Sequence, residues 1–297
     1  MPIKIANAPC SWGVDYADSK DNPGWEKVIK EISDAGYYYS ELGPFGYLPK
    51  DAEQIKSYIE NLNIKIIGGF IYDNLHNSIQ HASIRDKIIE TCKLLNKLGS
   101  KVFIIMDHLS NERMKNSGNP SASPKLDMNE YKILVNFLKD ISKICYENYG
   151  LKPAIHPHAG TYIEYQDELD NLLSDINYNY LGVCLDTAHL HYCGVDPYKA
   201  IEKYSTLIDH MHFKDVNQSV LDMVYKNRLD FITAVKKQVF CPLGKGIINF
   251  ERVIQLLNGI NYNEYATIEQ DIDPSEGLNP VDYAKKSLSY LKGLGLK

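Results

Sequence analysis

The feature that most constrains this chain is an alternation. A short run of β-branched and apolar residues is followed by a longer stretch with apolar positions at helical spacing, and this happens eight times. The short runs are Ile3–Ala8, Tyr37–Glu41, Lys65–Phe70, Lys101–Met106, Leu151–His156, Leu181–Asp186, Leu207–Phe213 and Tyr265–Glu269. Helices are expected over Trp25–Ala35, from an Asp51 cap to Leu62, and over Ser78–Leu98, Asp127–Tyr149 and Asp167–Asp175. Further helices start at Asp196-Pro197, cover about Ser219–Lys237 and Asn249–Leu257, and close the chain from Pro280 to Gly293. The polar stretch Ser110–Pro124 reads as a loop. Strands alternating with helices imply a parallel sheet with right-handed crossovers, and eight units imply a closed (β/α)8, or TIM, barrel. A doubly wound sheet would carry a glycine fingerprint after its first strand, where this chain has Pro9-Cys-Ser-Trp-Gly13. With no composition break, residues 1–297 are expected to form a single domain; barrels of about 250 residues do so routinely.

Charge and cysteine usage narrow the class. Lys plus Arg is 32 and Asp plus Glu is 38, a net charge of −6 that opposes a nucleic-acid partner. No apolar run reaches the roughly 18 residues needed to span a bilayer, and the start at Met1 lacks a leader pattern. The six cysteines show no CxxC pairing, which excludes zinc-finger spacing and fits reduced thiols in the cytoplasm.

Catalytic residues of such barrels sit at the C-terminal ends of strands. The second strand ends in Glu41, the fifth in His156-Pro-His158, and the sixth in Asp186-Thr-Ala-His189. The seventh ends in His212-Phe-Lys214-Asp215 and the eighth in Glu269-Gln-Asp271. A single His or Asp at a strand end is more often a hydrogen-bonded loop residue, and Asp186 alone reads equally well as a helix cap. Four such residues on four consecutive strands point instead to a shared divalent ion. Two imidazoles and two carboxylates suit Mn²⁺, Co²⁺ or Zn²⁺ better than Ca²⁺. His210 and His212 share a strand face, and His212, nearer the end, is the better donor.

The segments Ala6–Gly13, Ser40–Pro44, His156–Thr161, Leu185–His189, His212–Val216, Pro242–Phe250 and Glu269–Asp271 resemble the xylose-isomerase-like barrels, and within them the inosose dehydratase (2-keto-myo-inositol dehydratase) family. The resemblance assigns Asp186, His212 and Glu269 as metal ligands. It puts His156 where the superfamily usually has a Glu, with His158 as the competing fourth donor. It implies a divalent cofactor, Mn²⁺ or Co²⁺ with Zn²⁺ and Mg²⁺ as alternatives. His189 matches a residue that contacts ion or substrate in several relatives.

The expected reaction is loss of water from inosose or a similar keto-polyol through a metal-stabilised enediolate. Glu269, a free His or Glu41 would take the α-proton, and His158, His189 or Lys214 would protonate the leaving hydroxyl. The same set serves a sugar isomerase or 3-epimerase, so both readings stand, beside cleavage of abasic DNA and an inactive barrel used for binding. Trp12, Phe45, Tyr47 and Phe70 are candidates to stack on the substrate, with His158 and Lys214 as its polar contacts; each aromatic reads equally well as packing. Gly244-Lys-Gly246 reads as a turn rather than a phosphate cradle. Barrels of this type often form homo-oligomers through exterior helices, and no apolar stripe marks such a surface.

Overall fold

In the computed structural model, which describes residues 3–273 and 277–296, a parallel barrel closes on itself. Its first seven staves are β1 (Lys4–Asn7), β2 (Tyr39–Pro44), β3 (Lys65–Asp73), β4 (Val102–Asp107), β5 (Pro153–Ile155), β6 (Gly182–Asp186) and β7 (Ile208–Phe213). A two-stranded antiparallel ribbon, β8 (Asp215–Val216) with β9 (Phe240–Cys241), interrupts the alternation before the eighth stave, β10 (Tyr265–Ile268). Neighbours in the chain are neighbours in the barrel, and β10 closes it between β7 and β1. The staves lie within the runs read from the sequence, except that β2, β3 and β4 continue past Glu41, Phe70 and Met106.

The helices are α1 (Trp25–Asp34), α2 (Ala52–Glu60), α3 (His81–Leu98), α4 (Asn111–Asn116), α5 (Met128–Tyr149), α6 (Gln166–Asp175), α7 (Thr187–Tyr192), α8 (Pro197–Lys203), α9 (Gln218–Asn227), α10 (Phe231–Lys236), α11 (Phe250–Gly259) and α12 (Pro280–Gly293). Their starts follow local chemistry. The Asp51 side chain accepts from Glu53 N at 3.0 Å, and Asp127 forms a capping box with Glu130. Two expectations are corrected. The segment Ser110–Pro124 is not all loop, because α4 forms in it. The expected helix Ser219–Lys237 is two helices, α9 and α10, broken where Arg228 takes a left-handed backbone (φ +51°) and Asp230 caps the next turn.

The main apolar core lies between staves and helices and runs from Ile3 to Leu296. A smaller cluster of Phe70, Val102, Ile104, Ala154 and Cys184 fills the barrel axis. Gly68 is required there: a Cβ on it would lie 2.4 Å from Val102 Cβ. No helix of the described residues is long and apolar enough to cross a membrane. Met1, where the sequence was read for a leader, lies outside the described residues.

Candidate metal centre and cavity

The ladder hydrogen bonds bring four donors to one point. His156 N donates to Ile105 O at 3.0 Å and Glu269 N to Phe213 O at 3.1 Å, so both residues extend their strands by one position. Asp186 ends β6 directly opposite His212 of β7. One donor atom from each of His156, Asp186, His212 and Glu269 lies within 4.8 Å of all the others. His212 Nδ1 is 3.1 Å from Glu269 Oε2 and 4.0 Å from Asp186 Oδ2; His156 Nε2 is also 4.0 Å from Asp186 Oδ2. Donors bound at about 2.0–2.2 Å around one ion stand roughly 3–4 Å apart, which is the spacing seen here. Asp186 Oδ2 and His212 Nδ1 are buried and meet their neighbours as close ion-pair contacts rather than as well-aligned hydrogen bonds, which suits atoms that share a cation.

Asp186 does two jobs with its two oxygens. Oδ1 accepts from Ala188 N (2.8 Å) and His189 N (2.9 Å), capping α7, while Oδ2 faces the other donors. The cap and the ligand readings are therefore both satisfied by one side chain. The His156 ring is oriented through Nδ1, 2.8 Å from Pro157 O, which leaves Nε2 for the site. Burial, then the neighbouring His212, holds His156 well below the usual imidazole range, so it sits neutral and able to ligate.

Glu41, expected as a candidate base, is fully buried and does not line the cavity bordered by His156 and Lys214. The β2–β3 pairing shifts register on both sides of Glu41, and β2 runs on to Pro44, so this carboxylate points into the barrel interior. His210 Nε2 (3.0 Å) and His212 Nε2 (3.3 Å) both lie against Glu41 Oε1, and His210 Nε2 also lies 3.0 Å from Thr267 Oγ1. Burial opposes ionisation of Glu41, but His212 and His210 outweigh it and hold the carboxyl well below its usual range. Glu41 thus orients His212 from behind.

Beside the four donors sits Lys214, 1 % exposed. Its Nζ lies 3.2 Å from Asp186 Oδ2, 3.2 Å from Glu269 Oε2, 2.9 Å from Asp271 Oδ1 and 3.0 Å from His189 Nε2. Burial works against the ammonium, yet Asp186, Asp271 and Glu269 keep its pKa above the ordinary lysine value. His189 is held neutral by burial and by His158, so its Nε2 accepts from the ammonium. The His158 ring lies 3.8 Å from that of His189, centroid to centroid and tilted by 38°, and burial lowers its pKa to about 4.

These groups open into a cavity of about 140 Å³. His156, His158, His212, Lys214, Glu269 and Asp271 line one arc, from β5 round to β10; Phe70, Tyr72 and Met106 of β3 and β4 line another. Phe231, Ile232 and Val235 of α10 add an apolar face, and α10 packs against α4. Of the four aromatics singled out, only Phe70 lines the cavity. Trp12 is buried, with its indole N–H donating to Glu31 Oε2 of α1 (2.7 Å); Phe45 packs against the outer core, and Tyr47 donates to Pro23 O. They follow strand ends but turn outward. Sequence reasoning missed Asp15, Tyr16, Tyr72 and the α10 residues. Tyr72 was within reach, because it shares the period-two face of Phe70.

Gly244 N and Gly246 N donate to Asp215 Oδ2 (2.9 Å each), and Ile248 N to Oδ1 (3.0 Å). The loop's donors are therefore spent on an internal carboxylate, as a turn requires and a phosphate cradle does not. A second missed element is Arg113 of α4, fully buried. It pairs with Glu168 through two bonds (2.8 and 2.7 Å) and donates to Thr161 O (2.7 Å) and Pro124 O (2.8 Å). It ties the Ser110–Pro124 segment to the loop that carries His158.

The sequence and fold have known counterparts. The chain is 29 % identical over 295 residues to an inosose dehydratase of Clostridium botulinum, covering 98 % of this chain and 96 % of that protein. It is 27 % identical over 293 residues to the inosose dehydratase of Clostridium beijerinckii, with 98 % and 96 % covered. Among solved structures, the IolI protein with a bound zinc atom superposes with a TM-score of 0.74 at 15 % identity, covering 98 % of each chain. A probable 3-DHS dehydratase, AsbF of Bacillus anthracis, gives 0.73 at 16 % identity, with 98 % of this chain and 99 % of that one covered. Residues 29–294 match the family described as xylose isomerase-like TIM barrel, and the chain belongs to that family.

Proposed function

We propose that this enzyme, working as a one-domain barrel in the cytoplasm, removes water from inosose or a closely related cyclic keto-polyol. His156, Asp186, His212 and Glu269 would hold a divalent ion. The observation that carries the reading is the convergence of those four buried donors beside a charged lysine. The inosose dehydratases that align over nearly the whole chain support the substrate class. A set of two nitrogens and two oxygens favours Mn²⁺ or Co²⁺, with Zn²⁺ close behind.

When bound, the ion supplies positive charge where the substrate carbonyl oxygen becomes negative. The chain's own residues move the protons. His158 has its Nδ1 against Ala159 O at 2.8 Å and presents a neutral Nε2 to the cavity, where it takes the proton α to the carbonyl. Lys214 gives a proton to the β-hydroxyl. The C–H electron pair becomes the new double bond, the C–O pair leaves with oxygen, and water departs. Asp271 holds the ammonium in place, and His189, between His158 and Lys214, offers the return path for the proton.

Epimerisation is the second reading: it needs proton-active groups on opposite faces of one carbon, and Asp15, whose pKa desolvation pushes up to about 7, lines the same cavity as His158 and Lys214. The test is incubation of Mn²⁺- or Co²⁺-loaded protein with scyllo-inosose, following ultraviolet absorbance and product mass. The reading expects an absorbing product lighter by one water; an epimer of unchanged mass would favour the alternative, and no conversion would refute both.

A further inference from the structure

The Lys214 ammonium is surrounded as a metal ion would be. Three carboxylate oxygens and one imidazole nitrogen converge on it, at 3.2, 3.2, 2.9 and 3.0 Å, in a site where the side chain is almost wholly shielded from solvent. The backbone fixes the lysine, because Lys214 N donates to Thr187 Oγ1 (3.0 Å) and Thr187 Oγ1 donates to Lys214 O (2.7 Å). Adjoining the proposed metal position, His158, His189 and Asp271 also offer donor atoms within 4.8 Å of one another. Asp186 Oδ2, fully buried, faces both groups of donors, 3.2 Å from Lys214 Nζ and 4.0 Å from His156 Nε2.

We infer that the ammonium of Lys214 occupies the second of two adjoining cation positions, and that removing it converts a one-metal site into a two-metal site. The inference rests on the metal reading above. Charge is compatible with it: the three carboxylates that touch the ammonium, Asp186, Glu269 and Asp271, carry three negative charges, matched by one divalent ion plus one ammonium, while Glu41 lies behind His212 and pairs with the imidazoles. A second divalent ion would bring a fourth positive charge and would have to expel the lysine from its pocket. The ammonium differs from an ion in one useful respect, since it carries a proton that can be transferred.

The experiment is metal stoichiometry. Purified protein is equilibrated with Mn²⁺, gel-filtered and analysed for metal per chain. Wild type should hold one ion, Lys214→Ala two, and the volume-filling Lys214→Met one. The double variant Lys214→Ala/Asp271→Ala should return to one. A wild-type count of two, or a Lys214→Ala count that stays at one, overturns the inference while leaving the first site standing. A wild-type count of zero removes the metal reading itself, and the inference with it. If Lys214→Ala is insoluble when grown without added Mn²⁺, recovery with added Mn²⁺ and a count of two supports the inference. Insolubility with Mn²⁺ present, while Lys214→Met folds, counts against it.

Discussion

Substituting Gln for Glu41 separates a residue that orients a ligand from one that touches substrate. Glu41 Oε1 faces two imidazoles, His210 Nε2 at 3.0 Å and His212 Nε2 at 3.3 Å. Glutamine keeps an oxygen there and removes the charge. A hydrogen bond to a charged group is worth about 1.5–3 kcal/mol and a neutral one about 0.5–1.5, so each bond loses about 1 kcal/mol. Both losses reach the fold, and about 2 kcal/mol lowers Tm by roughly 5 °C in a chain of this size. Only the His212 bond reaches the metal, so Mn²⁺ affinity should fall about ten-fold. Because the Glu41 carboxyl is held low in the folded protein, its stabilisation is complete above its unfolded pKa of about 4.5 and fades as pH falls further. The stability gap between wild type and variant should narrow in the same direction. The assays are chelator competition for Kd, thermal melts across pH, and kcat at saturating Mn²⁺. An unchanged Kd with a hundred-fold loss of kcat would put Glu41 on the substrate and refute this assignment.

Other perturbations have equally definite outcomes. Metal-free protein should lose stability as pH falls from about 7. His158 is pushed down to about 4 and His156 and His189 lie lower than usual as well, so the unfolded chain binds the extra protons. For His158, a shift from 6.5 to about 4 corresponds to about 3 kcal/mol, and His158→Gln should flatten the urea-midpoint profile between those values. Asp186→Asn, which keeps the Oδ1 cap and removes the charge from the site, should abolish turnover with little change in melting; retained turnover would refute the site. His156→Ala should weaken Mn²⁺ binding more than His158→Ala does, read by calorimetry, and the reverse order would exchange their roles. Arg113→Ala strips a fully buried ion pair and should cost about 3–5 kcal/mol in denaturant melts, whereas a loss under 1 kcal/mol would mean the segment holds without it.

The sequence carried the barrel because periodicity and caps are local: Asp51, Asp127 and Asp196 cap where they stand in the chain. It carried the convergence of His156, Asp186, His212 and Glu269 because strand ends of a closed barrel must meet at its mouth. It could not place Glu41, whose level depends on register shifts against β3 that no local pattern encodes. The same holds for the outward turn of Trp12 toward Glu31. The α10 residues escaped because Arg228 and Asp230 break a stretch whose periodicity looks continuous, and β8 and β9 are two residues each, too short to show alternation. Arg113 lies in a polar segment that reads as a loop, and its partners lie some 50 residues away, at Thr161 and Glu168.

Anomalous diffraction from Mn²⁺-soaked crystals addresses the ligand set itself. One strong peak is predicted, about 2.0–2.3 Å from His156 Nε2, Asp186 Oδ2, His212 Nδ1 and Glu269 Oε2 together. A peak elsewhere in the cavity, or none at saturating Mn²⁺, would contradict it.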